Sequence, residues 1–205
     1  MDEKWAEFVG ILLGDGSIAV RPSKKYSTFY CVKVTLDSRE VAYRKYVAAL
    51  FYELLGVKPK IQKRPGQNAV DIVIYQKGVV EILLKIGLKR APKWKRAVVP
   101  LTCMNKELGK YVLRGYFDTD GSVVIANNNG TRYPRLEMKI SPSPMQKQLL
   151  QLLNLYEFHY GVYDIGRGKV RVQMNGKKAV EKWYNLIGFS NEKHRLKAES
   201  FLDTG

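Results

Sequence analysis

Apolar residues near the start of the chain follow the spacing of an amphipathic helix. Trp5, Phe8, Val9 and Leu12 stand at positions i, i+3, i+4 and i+7, so all of them fall on one helix face. Gly14 then supplies the residue type that commonly ends a helix. The pattern predicts a first helix that ends close to Gly14.

The next segment changes to a period of two. Val32, Val34 and Leu36 alternate with Lys33 and Thr35, which is typical of a strand with one buried face. The same kind of reasoning along the rest of this half, with proline and glycine at the turns, predicts the order helix–strand–strand–helix–strand–strand–helix.

This order of elements recurs in the second half of the chain. A Gly-x4-Asp-Gly-Ser pattern occurs twice, as Gly10, Asp15, Gly16 and Ser17 and again as Gly115, Asp120, Gly121 and Ser122. Turns are predicted in matching places between the first two strands of each half, one containing Pro22 and Ser23 and one at Asn127–Gly130. The internal similarity indicates a tandem duplication. The predicted domains are residues 1–98 and 108–205, joined by a linker at 99–107.

The composition limits the class of protein. The chain has 205 residues, of which 45% are hydrophobic, and it carries 35 Lys and Arg against 19 Asp and Glu, a net charge of +16. This is globular composition with a basic excess, which indicates a polyanionic partner, most often nucleic acid. The histidines, His159 and His194, and the cysteines, Cys31 and Cys103, are too few for zinc sites or for nuclease sites built on several histidines.

The sequence also bears on the compartment. No apolar run approaches the ~18 residues that span a membrane, and acidic residues stand where a secretion signal carries bases. The two cysteines fit a reducing compartment. We expect an intracellular location, cytoplasmic or organellar, and no membrane partner.

Small residues are spaced so that two helices could approach closely. Gly10 and Gly14 are four residues apart on the first helix, and Gly115 and Thr119 repeat this spacing on its counterpart. Small residues at i and i+4 permit close contact between helix backbones. If these faces pack together, both helices end at the same place.

Each of these helices ends in an Asp-Gly pair, which would bring the carboxylates of Asp15 and Asp120 together. The C-terminus of a helix carries partial negative charge, and like charges repel. A divalent cation with hard oxygen ligands removes this penalty, and Mg²⁺ suits such a site best. A metal ion there could activate water for phosphodiester hydrolysis.

Two segments resemble the signature motifs of the LAGLIDADG homing endonucleases that carry both motifs in one chain, namely Phe8–Gly16 and Leu113–Gly121. The resemblance implies an α+β fold in which two pseudo-symmetric αββαββα halves pack through their signature helices, while antiparallel sheets form a DNA-binding saddle. It implies a monomeric, intron-type endonuclease that cuts a long, non-palindromic double-stranded DNA site, with intron RNA as a further candidate partner.

The resemblance also implies the residues of the metal site. The ligands would be the carboxylates of Asp15 and Asp120 and the backbone carbonyls of Gly14 and Thr119. Mg²⁺ is the implied cofactor, with Mn²⁺ as a substitute and Ca²⁺ supporting binding without cleavage. One lysine from each half is expected beside the site, and these are predicted to be Lys95, in preference to Lys93, and Lys193.

The alternation of the strands predicts which polar side chains face away from the core. Arg, Lys, Gln and Glu are the side chains that read base edges in the major groove, which admits a β-ribbon. The predicted DNA-binding residues are Ser17, Arg21, Lys33, Thr35, Lys60, Gln62, Arg64, Ser122, Arg135, Glu137, Lys139, Lys169, Arg171 and Gln173.

Three other functions remain open from the residues alone. The first is a non-catalytic nucleic-acid-binding protein on the same fold, either an intron splicing factor or a DNA-binding regulator. The second is a nuclease of different architecture, based on the Glu-x-Lys formed by Glu137 and Lys139. The third, a binder of anionic membranes, lacks the basic amphipathic helix that it would need.

Overall fold

The computed structural model describes residues 1–22, 24, 27–128 and 131–202. Ser23, Asn129 and Gly130, which were predicted to lie in turns, are outside these residues. Asn127 and Asn128 were also predicted to lie in a turn, but they belong to a strand that ends at Asn128. Within the described chain, no helix is long and apolar enough to cross a membrane.

Helices and strands follow the predicted order in both halves. The helices are α1 (Glu3–Leu13), α2 (Val41–Leu55), α3 (Lys77–Lys85), α4 (Gly109–Asp120), α5 (Pro144–Leu155), α6 (Lys177–Leu186) and α7 (Glu192–Leu202). The strands are β1 (Gly16–Arg21), β2 (Phe29–Asp37), β3 (Lys60–Lys63), β4 (Ala69–Ile74), β5 (Gly121–Asn128), β6 (Thr131–Ile140), β7 (Gly161–Asp164) and β8 (Val170–Asn175). A short 3₁₀ turn at Leu101–Cys103 lies between the halves.

Each half contains one antiparallel sheet of four strands. The strand orders are β1-β2-β4-β3 and β5-β6-β8-β7, so the two sheets share one topology. In both sheets the second strand of the half is central and pairs with the first and the fourth. The α+β fold predicted from the sequence is therefore confirmed.

The inner face of each sheet packs against helices. Val32, Val34 and Leu36 of β2 are buried, and they pair in register with β4 through Ile74, Ile72 and Val70. Of the alternating positions of β2, Lys33 and Thr35 are only half-buried, whereas Cys31 is buried. The period of two thus separates a core face from an accessible polar face, as the sequence predicts.

Helices α1 and α4 cross in direct backbone contact. A Cβ atom at Gly10 would overlap the Val112 carbonyl oxygen and lie 2.8 Å from the Tyr116 nitrogen, and a Cβ at Gly115 would overlap the Glu7 carbonyl oxygen. Only glycine permits this separation, because any side chain would have to part the two backbones. The predicted packing of the small-residue faces is confirmed.

Helix α7 is an addition to the predicted order, because the sequence pattern ended the second half with the helix before it. Asp118 Oδ2 accepts hydrogen bonds from the backbone nitrogens of Ser190 (2.7 Å) and Asn191 (3.1 Å), just before α7 begins. A carboxylate in this place satisfies N–H groups at a helix start. Lys193 therefore lies in the first turn of α7.

Candidate metal and nucleic-acid site

The ends of α1 and α4 bring the predicted metal ligands into one place. A Cβ atom at Gly14 would overlap Thr119 Oγ1 and lie 3.3 Å from Asp120 Oδ2, so the Asp120 carboxylate stands beside the end of α1. Asp15 follows directly, and its carbonyl oxygen accepts a hydrogen bond from the Thr35 nitrogen (3.2 Å). The small-residue packing therefore positions both carboxylates.

The two carboxylates lie in a poorly solvated place and influence each other. Burial, followed by repulsion from Asp120, raises the pKa of Asp15 to about 7, while the ammonium of Lys93 acts to lower it. Burial also raises the pKa of Asp120, opposed first by Lys93 and then by Lys169 and Lys139. Adjacent acidic groups of this kind favour the binding of a cation.

Lys93 lies at the centre of this site. Its ammonium donates to the carbonyl oxygens of Leu13 (2.7 Å), Leu12 (3.3 Å) and Gly14. These are the unpaired carbonyls at the C-terminus of α1, where the helix carries partial negative charge. Burial lowers the pKa of Lys93, while Asp120 and Asp15 act to raise it.

The assignment of Lys95 to the site is corrected by this arrangement. Lys95 is exposed, and its backbone nitrogen donates to the Pro142 carbonyl oxygen (2.6 Å). Its φ of +61° turns the chain just after Lys93. Both lysines fit the spacing of the sequence, but only Lys93 is directed toward the carboxylates.

Lys193 does not take the matching place in the second half either. Its ammonium lies 3.0 Å from Glu40 Oε1 and its side chain is 62% exposed. Asn191 instead donates its side-chain amide to the Asp118 carbonyl oxygen (3.1 Å). Sequence reasoning missed Asn191, because an amide without a charge partner gives no signal in the sequence.

The donors present suit a hard divalent cation. Among the described residues there is no group of three or more His, Cys, Asp or Glu side chains that could hold a metal. The two carboxylates would thus need backbone carbonyls and water as further ligands, which is the mixture of oxygen donors that Mg²⁺ accepts. The site fits such an ion on the chemistry of its donors.

The polar face of the first sheet gathers the predicted residues around one acid that the sequence reading missed. Asp71 accepts from Thr35 (2.6 Å) and pairs with Arg64 (2.9 Å) and Lys33 (3.4 Å). The register aligns the remaining predicted residues on this face, with Ser17 opposite Lys33, Lys60 opposite Val73 and Gln62 opposite Asp71. Arg21, at the end of β1, lies 4.7 Å from the centre of the Phe29 ring.

The second sheet repeats this face. Glu137 stands opposite both Ser122 and Gln173, and Lys139 stands opposite Arg171. Glu137 accepts from Gln173 (2.9 Å) and pairs with Arg135, so its carboxylate is held within the polar face. Lys169 lies 5.9 Å from the centre of the Trp94 ring.

Known proteins resemble this chain in part of its sequence and in its fold. Residues 107–188 match the family model of the LAGLIDADG-like domain. The complex of the homing endonuclease I-DmoI with DNA and Ca is similar with a TM-score of 0.69 and 16% identity, covering 97% of this chain and 96% of that chain. The LAGLIDADG meganuclease I-AabMI, bound to uncleaved DNA, gives a TM-score of 0.65 and 16% identity over 97% and 90% of the chains.

The fold of this chain is therefore the fold of the two-domain LAGLIDADG structures, and the family model itself matches its second half. More particularly, the chain has the two-domain architecture of I-DmoI and contains a LAGLIDADG-like domain in its second half. The resemblance noted from the two sequence motifs is confirmed.

Similar segments also occur inside larger proteins. The DNA polymerase of Thermococcus kodakarensis is 27% identical over 206 residues, which is 91% of this chain but 11% of that protein. The replication factor C small subunit of Methanocaldococcus jannaschii is 32% identical over 123 residues, 60% of this chain and 6% of that protein. The chain thus spans only a small fraction of these relatives, and their differing named activities do not carry over to it.

Proposed function

We propose that this protein is a sequence-specific double-strand DNA endonuclease of the intron-type homing class, which hydrolyses phosphodiesters with a divalent metal ion at Asp15 and Asp120. The observation that carries the proposal is the pair of half-buried carboxylates at the touching ends of α1 and α4. The similar I-DmoI structures that contain DNA together with Mn or Ca support it.

The chain's own residues account for much of the chemistry. Asp15 and Asp120, with the carbonyls of Gly14 and Thr119, would hold the ion, which when bound polarises the phosphoryl oxygen and lowers the pKa of a water molecule. Lys93 adds a positive charge where the phosphate gathers negative charge. Burial of the site strengthens each of these electrostatic interactions.

The polar faces of the two sheets would bind the duplex. In each face the arginine, lysine, glutamine and glutamate side chains supply donors and acceptors for base edges, and the remaining basic residues would contact phosphates without specifying sequence. A monomer with two such faces can bind a long site whose halves differ, because the side chains of the faces differ. We propose a long, non-palindromic DNA target on this ground.

The test is cleavage of a duplex target by Asp15→Asn and Asp120→Asn. The target comes first from selecting cut sites in a random duplex library with Mg²⁺. Each substitution keeps the shape of the side chain but removes a charged metal ligand, so we expect cleavage to fall at least ~10²-fold. Binding of the target in Ca²⁺, measured by fluorescence anisotropy, should persist.

Asp2→Asn is the matched control, because Asp2 caps the opposite end of α1 and asparagine caps equally well. Its cleavage rate should equal that of the wild type, and full cleavage by either site variant would refute the metal assignment. The variant Glu137→Gln distinguishes this proposal from the alternative nuclease based on Glu137 and Lys139. An altered base preference fits the present proposal, whereas complete loss of cleavage with every substrate favours the Glu-x-Lys site. Binding of DNA or RNA without any cleavage by the wild type would favour a splicing factor or regulator.

A further inference from the structure

The two signature helices end close together, α1 at Leu13 and α4 at Asp120, but different groups contact their last carbonyls. At the end of α1, the Lys93 ammonium donates to the carbonyl oxygens of Leu12–Gly14. At the end of α4, the carbonyl of Asp118, which corresponds to that of Leu13, accepts the neutral amide of Asn191 instead. Over the residues that the structure describes, no lysine ammonium donates to the last carbonyls of α4.

The described lysines near the second half interact with other groups and do not donate to those carbonyls. Lys193 pairs with Glu40 at 3.0 Å. Lys139 lies on β6 and Lys169 in the turn before β8, and both affect Asp120 by their charge. A cation is therefore built into one end of the site only.

We propose that Lys93 is a resident cation whose ammonium occupies the place at the Gly14 carbonyl that a divalent ion would otherwise take. The protein then binds one divalent ion tightly, at the Thr119 side, and a second ion only weakly, at the Gly14 side. The inference rests on the proposed function, because it concerns the metal ion of that site.

Two physical reasons support the competition. The carbonyls at a helix C-terminus attract any cation, and Lys93 already contacts the three that an ion at this end could use. A divalent ion at Gly14 would stand within a few ångströms of the ammonium, where like charges repel strongly in a buried place. The ion must therefore displace Lys93 at this end. At the other end the charge of Lys93 also acts on Asp120, but the ammonium donates to none of the last carbonyls of α4 among the described residues.

The test is a titration of the metal-free, full-length protein with Mn²⁺ alone, following free Mn²⁺ by electron paramagnetic resonance. The wild type should bind one ion tightly and a second at least ~10-fold more weakly. In Lys93→Met the second affinity should rise at least ~10-fold, so that the two ions bind alike. Lys95→Met and Lys193→Met remove the same charge outside the contact and should keep the wild-type pattern.

Thermal unfolding gives a second measurement. Without metal, Lys93→Met leaves the carboxylates and carbonyls without a cation, so its Tm should fall below that of the wild type, and Mn²⁺ should raise the Tm of the variant more. If Lys93→Met does not fold in chelator, Lys93→Gln keeps a hydrogen-bond donor without the charge and should show the same gain in Mn²⁺ affinity.

The outcomes separate the two proposals. Equal Mn²⁺ affinities in the wild type and the Lys93 variants would overturn the resident cation and leave the endonuclease proposal intact. A gain of affinity in the Lys93 variants, in a protein that cuts no DNA, would support the resident cation and refute the endonuclease. Absence of Mn²⁺ binding in every form would overturn both.

Discussion

His194 is a buried imidazole that packs against the rings of Phe117 and Phe189. Burial, followed by the charges of Lys193 and Lys197, lowers its pKa to about 4 from an ordinary value of 6.5. Between these two values the unfolded chain binds a proton that the native chain excludes. The contribution of His194 to stability is therefore lost as the pH falls through this window.

We expect His194→Gln to remove this pH dependence. The difference in unfolding free energy between the wild type and the variant should change by up to ~1.4 kcal/mol per pH unit across the window. Urea unfolding at a series of pH values measures it, and the difference is needed because the raised pKa of Asp15 gives a slope of opposite sign. His159→Gln, at an exposed position, should leave the slope unchanged; the same change there would contradict the assignment.

Single residues of the site were predictable to different degrees. Asp15 and Asp120 hold the same position in a repeated pattern, so the sequence itself indicates that the two residues are equivalent. Which of Lys93 and Lys95 approaches the carboxylates depends on the turn at Lys95, whose positive φ no sequence pattern signalled. The place of Asn191 depends on a hydrogen bond to Asp118, which lies far away in the chain.

At the scale of elements, the contact of α1 with α4 depends on two glycines. We expect Gly10→Ala and Gly115→Ala to destabilise the protein by ~1–3 kcal/mol, because a Cβ at either position overlaps a carbonyl of the other helix. Thermal or urea unfolding measures the loss. Cleavage should also fall, since parted helices would separate the carboxylates.

Gly78 provides the matched control for these substitutions. It lies in α3, where a Cβ atom would meet nothing within 4 Å. Gly78→Ala should therefore stabilise the protein by ~0.5–1 kcal/mol through helix propensity. A loss of stability at Gly78 equal to that at Gly10 would show that backbone contact is not the cause.

Most elements were predictable because their apolar positions repeat with a clear period. Helix α7 was not, because it is rich in charged residues and only two of its residues, His194 and Ala198, are buried. Its start is stabilised by Asp118, on a helix that precedes it by some seventy residues. A tertiary contact of this kind has no local sequence signal.

At the scale of the whole molecule, the net charge of +16 predicts DNA binding that weakens with salt. The logarithm of the binding constant should fall by roughly 0.9 per logarithmic unit of salt for each phosphate neutralised. We expect Lys60→Met, on the exposed polar face, to reduce this slope by about one. Anisotropy titrations at several salt concentrations measure it.

Lys45→Met is the control for the salt dependence, because Lys45 is exposed on α2, away from the polar strands. Its slope should match that of the wild type. If both variants lower the slope alike, the phosphate contacts are not confined to the sheet face. The internal repeat and the net charge thus predict two similar halves with a basic surface. Which side chains lie next to each other on the polar faces is known only from the strand register.

The unequal helix ends limit how the two halves could be recombined. A symmetric dimer built from two copies of the first half would bring two Lys93 ammonium groups to one centre, and a dimer of the second half would bring none. In a chimaera that joins one of these halves to a half of another protein, the choice of half therefore determines which side supplies the lysine. The two halves of this protein thus bring different groups to the centre, an ammonium at the end of α1 and an amide at the end of α4.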